Sequence, residues 1–267
     1  MSLSDLVFFK SQKALDLKVA FRLFLDEKEE IVQENGIPFV YHYYNPQVHV
    51  KSLYKRNTSP LLPPYPQNME IAHFKGGASH YLINNKFMIK PGHIILSADS
   101  PEKKQGDLLE KSDFIAISRL FSSFDGKGIV YYNSGKESGH SQSHKHIQYV
   151  PIYETPLFDR LITNWESPII RFYSPLKSLS APALEDSYKN LMSQMKRKTR
   201  LEKCSYNFII SKNNALMVPR KRSRHINGVS MNSLGLCGHF FLWERKRLLM
   251  KKPLSIISDL CYLQEKP

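Results

Sequence analysis

Two closely spaced histidines, His144 and His146, follow a segment rich in glycine and serine that begins at Asn133. On a β-strand, alternate side chains share one face, so both histidines and Gln148 are predicted to project together. The side chains predicted to point to the opposite face are Lys145, Ile147 and Tyr149. A neutral imidazole can attack phosphorus and form a phosphoramidate, and a neighbouring glutamine can donate to the charge that develops on a phosphoryl oxygen. The pattern is compatible with chemistry at phosphorus through a histidine phosphoramidate.

The segment from Ser134 to Ser143 contains two glycines and several hydroxyl or amide side chains. Glycine permits close backbone approach, and exposed N–H groups together with serine hydroxyls suit phosphate oxygens. Two alternatives stay open. The histidine pair is also compatible with a metal site, with His140 as a third ligand, or with ordinary packed histidines. The order of glycine/serine segment, histidine pair and glutamine favours the phosphate interpretation.

Composition places the chain among globular proteins with a sizeable core. It has 267 residues, of which 42% are hydrophobic and 23% charged, and we expect a single domain over residues 1–267. No run approaches the roughly 18 apolar residues of a membrane helix, so no membrane partner is expected. The three cysteines form no CxxC pair, which argues against a disulfide framework or a cysteine-rich zinc site. A reducing compartment, cytoplasmic and also nuclear, fits that usage.

The positive charge is unevenly distributed. The net charge is +14, and Lys189 to Lys252 holds 16 basic residues against two acids, a difference that equals the whole excess. The basic runs are Lys196–Arg200, Arg220–Arg224 and Arg245–Arg247. Such a field attracts polyanions. Three interpretations remain: a nucleic-acid surface, a region that attracts a polyphosphate substrate, and a solvated face with no partner.

Periodicity and turn residues predict a mixed order of helices and strands, which favours an α+β fold with an antiparallel sheet. We expect an N-terminal helix at 12–34 that ends at Asn35-Gly36, a catalytic core at about 37–160, a lid or loop at about 161–185, and a basic C-terminal part at 186–252 that completes the site. Within these parts, helices are predicted at 107–124 and 185–203, a proline-rich loop at 60–66, and strands at 37–44, 80–87, 93–97, 128–133, 144–153, 206–211, 215–219 and 238–243.

Ordered blocks along the chain resemble a known family. They are Leu82–Phe87, Pro91–Leu96, Asn133–Gly135, Ser138–Ser141, His144–Gln148, Tyr206–Phe208, Met217–Arg220 and Val229–Gly238. Together they resemble the histidine-triad and galactose-1-phosphate uridylyltransferase superfamily, and within it the diadenosine tetraphosphate phosphorylases, also called ATP adenylyltransferases. The resemblance implies a histidine-triad-like antiparallel sheet with flanking helices.

The resemblance also implies a mechanism. His146 corresponds to a nucleophile that takes AMP from a dinucleoside polyphosphate and releases ATP, after which inorganic phosphate yields ADP. His144 and Gln148 are implied to assist. The substrate-binding positions implied by the resemblance are Lys51, Asn85, Lys86, Asn133, Ser138, Gly139, His140, Ser141, Gln142, Gln148, Met231, Asn232 and Ser233. No tightly bound cofactor and no protein metal site are expected, with Mg²⁺ accompanying the polyphosphate.

Some residues depart from the family pattern. They are Lys136, His140, His239 and Trp243, and the segment between Phe158 and Lys203 is contracted. These departures concern substrate preference and turnover. Two alternatives therefore stand beside phosphorolysis: a histidine-triad-type hydrolase of dinucleoside polyphosphates, in which water replaces phosphate, and a non-catalytic polyanion-binding protein on the same fold. Oligomeric state and base preference do not follow from the sequence.

Overall fold

The computed structural model describes residues 1–45, 60–242 and 252–264, with backbone only at 25–28. Its centre is an antiparallel sheet of eight strands. In spatial order these strands are β10 (Phe172–Pro175), β12 (Asn214–Arg220), β11 (Ser205–Ile210), β8 (Ile129–Ser134), β9 (His146–Val150), β7 (Ile94–Ala98), β5 (His80–Asn84) and β4 (Glu70–Phe74). The α+β prediction with an antiparallel sheet and flanking helices is confirmed.

Smaller elements surround this sheet. A three-stranded sheet contains β2 (Phe24–Glu34), β3 (Ile37–Tyr44) and β13 (His239–Leu242), and a two-stranded one pairs β1 (Phe21–Arg22) with β6 (Phe87–Met88). The helices of the described residues are α1 (Leu3–Asp16), α2 (Lys111–Ser123), α3 (Pro156–Leu161), α4 (Ala181–Thr199), α5 (Ser233–Leu236) and α6 (Pro253–Leu260). Within the described residues, no helix has the length and apolar character needed to span a membrane.

The two faces of the central sheet pack into different cores, as strand alternation requires. On β8, Val130 and Tyr132 pack into the core that contains Phe114 and Ile117 of α2. Tyr131, between them in sequence, packs instead with residues of β3 and β13. Both faces of β8 are thus covered by packed side chains, and β8 is a firm support for the neighbouring strand β9.

The predicted N-terminal helix at 12–34 is wrong. The helix α1 ends at Asp16, and Phe24–Glu34 is a strand that pairs antiparallel with β3. Glu34 is paired with Ile37, and the two loop residues between them, Asn35 and Gly36, have φ angles of +52° and +72°. Two positive φ angles in a two-residue loop form the tight hairpin that Asn-Gly favours. The Asn-Gly pair therefore marks a hairpin rather than the end of a helix.

The predicted lid or loop at 161–185 is also wrong in part. Phe172–Pro175 forms the edge strand β10 on β12, and α4 already begins at Ala181. A proline is tolerated at the end of an edge strand because no neighbour needs its missing N–H. Arg171 fixes the preceding turn by donating to three backbone carbonyls, those of Leu161, Thr163 and Trp165.

The remaining predicted elements agree with the structure after shifts at their ends. The helix expected at 107–124 is Lys111–Ser123, and the helix expected at 185–203 is Ala181–Thr199. The strand expected at 144–153 is shorter, His146–Val150, and the strand expected at 80–87 is interrupted after Asn84. Residues 60–66 form no helix or strand, as their prolines predict. Trp243 and the basic run at 245–247 lie outside the described residues.

Candidate active site

A cleft of about 800 Å³ opens beside the ends of β5 and β9. His146 and Gln148 of β9 line it, and Ser141 and Gln142 border it on the side of the glycine/serine segment. Its other walls are largely apolar and come from the turn after α1, the proline-rich loop and the β5–β6 connection: Val19, Phe21, Leu61, Leu62, Tyr65, Met69, Ile83, Phe87 and Ile95. The cleft thus joins an apolar chamber to a polar end that contains a histidine.

His146 is held as a neutral imidazole with one defined tautomer. Its Nδ1 lies 2.7 Å from the carbonyl oxygen of His144, which can only accept, so Nδ1 carries the proton. Its Nε2 therefore keeps a free lone pair. Burial lowers the pKa of His146 to about 4, so the ring stays unprotonated near neutral pH. A buried, oriented and neutral imidazole is the form required of a nitrogen nucleophile.

Gln105, which the sequence analysis did not identify, fixes the backbone of His146. Its Oε1 accepts from the His146 N–H at 2.7 Å, and its Nε2 donates to the carbonyls of His146 and Asn133 at 3.1 and 2.9 Å. The side chain is buried. A single amide thus joins β9 to β8 at the point where the two strands diverge.

His144 is placed behind His146 and does not line the cleft. Its Nε2 donates to the carbonyl oxygen of Ala98 at 2.7 Å. Burial lowers the pKa of His144, so it too favours the neutral form. The functional contribution visible in the structure is that of its backbone carbonyl, which selects the tautomer of His146.

The carboxamide of Gln148 is oriented by a polar cluster that the sequence analysis missed. Its Oε1 accepts from the hydroxyl of Tyr131 at 2.9 Å and from Nε2 of His93 at 3.0 Å, with Asn85 Nδ2 at 3.4 Å. The Ile89 N–H donates to His93 Nδ1 at 3.3 Å, which leaves the proton on Nε2. Because the oxygen is saturated by donors, the NH₂ of Gln148 is the end available to a substrate.

Burial lowers the pKa of His93 to about 4, so this ring also stays neutral. The only sequence signal for it was its place in the Pro91–Leu96 block, which resembles the family. Asn85 is itself fixed, because its Oδ1 accepts from the Phe87 N–H at 2.9 Å. Lys86 lines the cleft beside it, with Nζ 5.8 Å from the centre of the Phe87 ring.

The predicted face assignment is confirmed for His146 and Gln148, which line the cleft, and for Ile147 and Tyr149 on the opposite face. It is wrong for His144, which precedes β9 and does not line the cleft. Ile147 and Tyr149 pack into the core beneath α2. Lys145 donates to the Asp113 carboxylate at 2.6 Å, and His80 lies 3.0 Å from the other oxygen of that carboxylate. Burial opposes ionisation of Asp113, but the His80 hydrogen bond and the Lys145 charge outweigh it and lower the pKa of this carboxyl. This buried ion pair anchors β9 to α2 on the face opposite His146.

The glycine/serine segment forms a tight turn around a short 3₁₀ helix, Lys136–Ser138. Gly139 follows in the left-handed region with φ of +84°, and a Cβ there would overlap the carbonyl of Met231. Only glycine fits this position. His140 is half-buried and donates from Nδ1 to the Gln142 carbonyl at 2.9 Å. The turn therefore brings Ser141 and Gln142 to the rim of the cleft.

Three predicted substrate contacts lie behind this turn instead of in the cleft. Asn133 Oδ1 accepts from Ser233 Oγ at 2.6 Å, from the Ser233 N–H at 3.1 Å and from Asn207 Nδ2 at 2.7 Å. Ser138 Oγ donates to the Gly135 carbonyl at 2.7 Å. Asn133, Ser138 and Ser233 are buried, so their side chains hold the turn in shape.

A second, smaller cavity of about 90 Å³ lies beyond Gly139. Met231 and Asn232 line it, together with Ser230 and His239. The structure therefore brings the predicted C-terminal contribution next to Gly139. Lys51, also predicted to contact substrate, lies outside the described residues.

Arg220 was predicted within a basic surface run, and that placement is wrong. Its side chain is only 2% exposed, and burial lowers the pKa of its guanidinium. All of its hydrogen bonds go to uncharged oxygens, those of Ser138, Asn207, Arg222, Met231 and Leu260. Lys221, Arg222 and Arg224 of the same run are exposed, as are Lys196, Arg197 and Lys198.

The metal interpretation of the histidines gains no support from their geometry. His144 Nε2 and His146 Nδ1 are each directed at a backbone carbonyl. Across residues 1–45, 60–242 and 252–264, no three His, Cys, Asp or Glu side chains converge as a metal site would require.

The fold and the site together define an α+β protein with an oriented, neutral histidine at the polar end of an apolar-walled cleft. Two family profiles match consecutive parts of the sequence, "Ap4A phosphorylase N-terminal domain" at residues 3–162 and "ATP adenylyltransferase C-terminal domain" at residues 164–263. The chain belongs to the Ap4A phosphorylase (ATP adenylyltransferase) family, as the sequence blocks indicated.

Individual relatives agree with this assignment. Diadenosine 5',5'''-P1,P4-tetraphosphate phosphorylase 2 of Saccharomyces cerevisiae is 26% identical, over 65% of this chain and 65% of its own length. Protein APA1 of the same yeast is 27% identical, over 61% and 62%. The chain thus matches a little under two thirds of the length of these curated relatives. The crystal structure of yeast Ap4A phosphorylase Apa2 in complex with Ap4A superposes with a TM-score of 0.84, at 19% identity and full coverage of both chains.

Proposed function

We propose that this protein is a nucleotidyltransferase that cleaves diadenosine tetraphosphate by phosphorolysis, with ATP and ADP as products. The observation that carries the proposal is the bond from His146 Nδ1 to the His144 carbonyl, which leaves Nε2 unprotonated in a buried ring beside the cleft. Family membership and the yeast relatives support the substrate and the reaction type.

In the first step, the lone pair of His146 Nε2 attacks the phosphorus atom next to one adenosine. An N–P bond forms, the bond from that phosphorus to the bridging oxygen breaks, and ATP leaves with the bridging oxygen. In the second step, an oxygen of inorganic phosphate attacks the same phosphorus, the N–P bond breaks, and ADP leaves. The ring is returned to its starting tautomer, because Nδ1 keeps its proton throughout.

The polar end of the cleft supplies groups for the negative charge of both steps. The NH₂ of Gln148 can donate to a non-bridging oxygen, since its oxygen is occupied by Tyr131 and His93. Ser141, Gln142 and Lys86 line the same cleft. Donors already in place stabilise a charged transition state without reorganisation. We propose that Mg²⁺ arrives with the polyphosphate.

The apolar chamber provides surfaces for a nucleoside. Phe21, Leu61, Tyr65 and Phe87 all line it. Ligand sites typically combine apolar walls with a few placed polar groups, which is the division seen here.

The deciding experiment incubates the protein with diadenosine tetraphosphate and Mg²⁺, with and without inorganic phosphate, and identifies the nucleotides formed. ATP with ADP, only when phosphate is present, is the expected result. ATP with AMP, or two ADP, would assign hydrolysis instead. An absence of turnover together with salt-sensitive nucleic-acid binding would identify a polyanion-binding protein. The His146→Asn variant serves as the inactive control.

A further inference from the structure

Arg220 is a buried cation without an anionic partner in the described part of the chain. Its Nη1 donates to the carbonyl oxygens of Met231 at 3.0 Å and Ser138 at 3.3 Å, and to Asn207 Oδ1 at 2.6 Å. The Glu137 carboxylate interacts with the Arg220 charge at a distance. Its own hydrogen bond is with the Ser223 N–H, which donates to Glu137 Oε2. Burying a charge is costly unless the charge is paired and hydrogen-bonded, and the hydrogen bonds of Arg220 all go to uncharged oxygens.

The two carbonyls that accept from Arg220 are part of the Ser138–Gly139 and Met231–Asn232 peptide bonds. The N–H groups of these two peptide bonds are those of Gly139 and Asn232. A trans peptide places its C=O and N–H on opposite sides, and both of these bonds are trans. Each N–H is therefore directed away from the guanidinium. Among the described residues, neither N–H has a hydrogen-bond acceptor. Gly139 and Asn232 both line the cavity of about 90 Å³.

We propose that Arg220 is a positioning residue for polyphosphate binding, which holds and polarises two peptides whose N–H groups bind phosphate oxygens. Hydrogen bonds from a cation polarise the acceptor peptides and strengthen their N–H groups as donors. The buried charge also adds a positive field that salt screens less than that of a surface lysine. The proposal rests on the proposed function only for the identity of the substrate, and its test does not require turnover.

Two variants and a matched control separate this role from simple stabilisation. Arg220→Met removes the charge, whereas Arg220→Lys keeps the charge but loses the planar fork. Arg171→Met is the control, because Arg171 also donates only to backbone carbonyls but lines neither cavity. All three proteins are first compared by thermal unfolding, so that binding is measured on the folded fraction.

Inorganic tripolyphosphate is the probe, titrated calorimetrically at two salt concentrations. Loss of the polarising cation is expected to weaken its binding about 30-fold in Arg220→Met and about 5-fold in Arg220→Lys, with less than about 2-fold change in Arg171→Met. Folded Arg220→Met that binds tripolyphosphate as wild type does would overturn the proposal. So would equal weakening in the Arg171→Met control.

If the Arg220 variants do not fold, the proposal is tested by a measurement on the wild-type protein. Amide resonances of Gly139 and Asn232 are followed by NMR during tripolyphosphate titration. Both are expected to move downfield as their N–H groups gain an acceptor, and unchanged resonances would contradict the proposal. Wild-type protein that shows these shifts but does not cleave diadenosine tetraphosphate would refute the proposed function alone.

Discussion

The backbone carbonyl of His144 lies 2.7 Å from Nδ1 of His146 and so determines which nitrogen of that ring is free. The bond depends on the strand conformation and not on the His144 side chain. An imidazole locked in this way presents one lone pair in one direction, and the two histidines therefore have unequal roles.

The first prediction follows from that inequality. His146→Ala should abolish turnover, with a loss of roughly 10⁴-fold or more, because the proposed nucleophile is removed. His144→Ala keeps the carbonyl and should retain a measurable fraction, with a loss of about 10²-fold from looser packing around Ala98. The measurement is the initial rate of ATP formation, combined with trapping of a labelled adenylyl-enzyme. Label trapped on the His146→Ala protein would show that another residue is the nucleophile.

The second prediction concerns the pH dependence of activity. In the proposed mechanism only neutral His146 can attack, and burial lowers its pKa to about 4. The acid limb of kcat/KM should therefore lie near pH 4, well below the value of about 6.5 for an ordinary histidine. Rates measured from pH 4.5 to 8 in constant ionic strength test this. A limb centred at pH 6 to 7 would mean that the ring is solvated in the active protein.

The third prediction concerns stability against acid. His93 and His146 each have a folded pKa of about 4, below the 6.5 expected when unfolded. Between these values the unfolded chain binds more protons, so stability should fall as the pH drops from about 6.5 to 4. The midpoint of denaturant unfolding should decrease over that pH range. In the His93→Gln variant the midpoint should depend less steeply on pH. A slope unchanged by that substitution would exclude His93 as a source.

The fourth prediction concerns the orientation of Gln148. Gln148→Ala should lower kcat by about 10²-fold, as expected for loss of one donor to developing charge, with little loss of stability. Tyr131→Phe removes the 2.9 Å donor to its oxygen and should lower kcat by about 10-fold. Tyr188→Phe is the matched control, since that hydroxyl bonds Tyr206 in the opposite core. Equal losses in both tyrosine variants would indicate general destabilisation.

The fifth prediction addresses the exposed basic residues at the end of α4. Neutralising Lys196, Arg197 and Lys198 together should raise KM about 2- to 3-fold and flatten its salt dependence, with kcat unchanged. Exposed charges act at a distance through a field screened over about 8 Å at physiological salt, so they affect encounter more than chemistry. If the triple variant instead keeps its KM but shows a weaker dependence of RNA affinity on salt concentration, the cluster is a nucleic-acid surface.

The sequence predicted what local patterns encode. Alternation along His146–Tyr149 placed the correct side chains on each face of β9, because strand geometry alone decides this. It failed for His144, which precedes the strand. The same reasoning failed at 12–34, where apolar residues at helical spacing outweighed the hairpin signal of Asn35-Gly36. The structure shows that this signal was the more reliable one.

What escaped prediction depends on contacts between distant segments. Gln105, Tyr131 and His93 acquire their roles only when β8, the start of β7 and the loop that contains Gln105 lie beside β9. Arg220 lies among exposed basic neighbours in sequence, and its residue type does not distinguish it from them, although it alone ends the Met217–Arg220 block. Its burial is set by the β11–β12 pairing and by the chain that crosses it near Met231.

The bond between Asn133 and Ser233 joins residues a hundred positions apart. During synthesis, the strand that bears His146 leaves the ribosome long before the segment that completes the turn at Gly139. The phosphate binding proposed at that turn therefore becomes possible only after the later segment has docked. A nucleotide that binds there stabilises the completed arrangement by mass action, by about 2.7 kcal/mol at a hundredfold excess over its Kd. The cellular nucleotide pool would thus act as a folding ligand that selects chains with the Asn133–Ser233 junction closed.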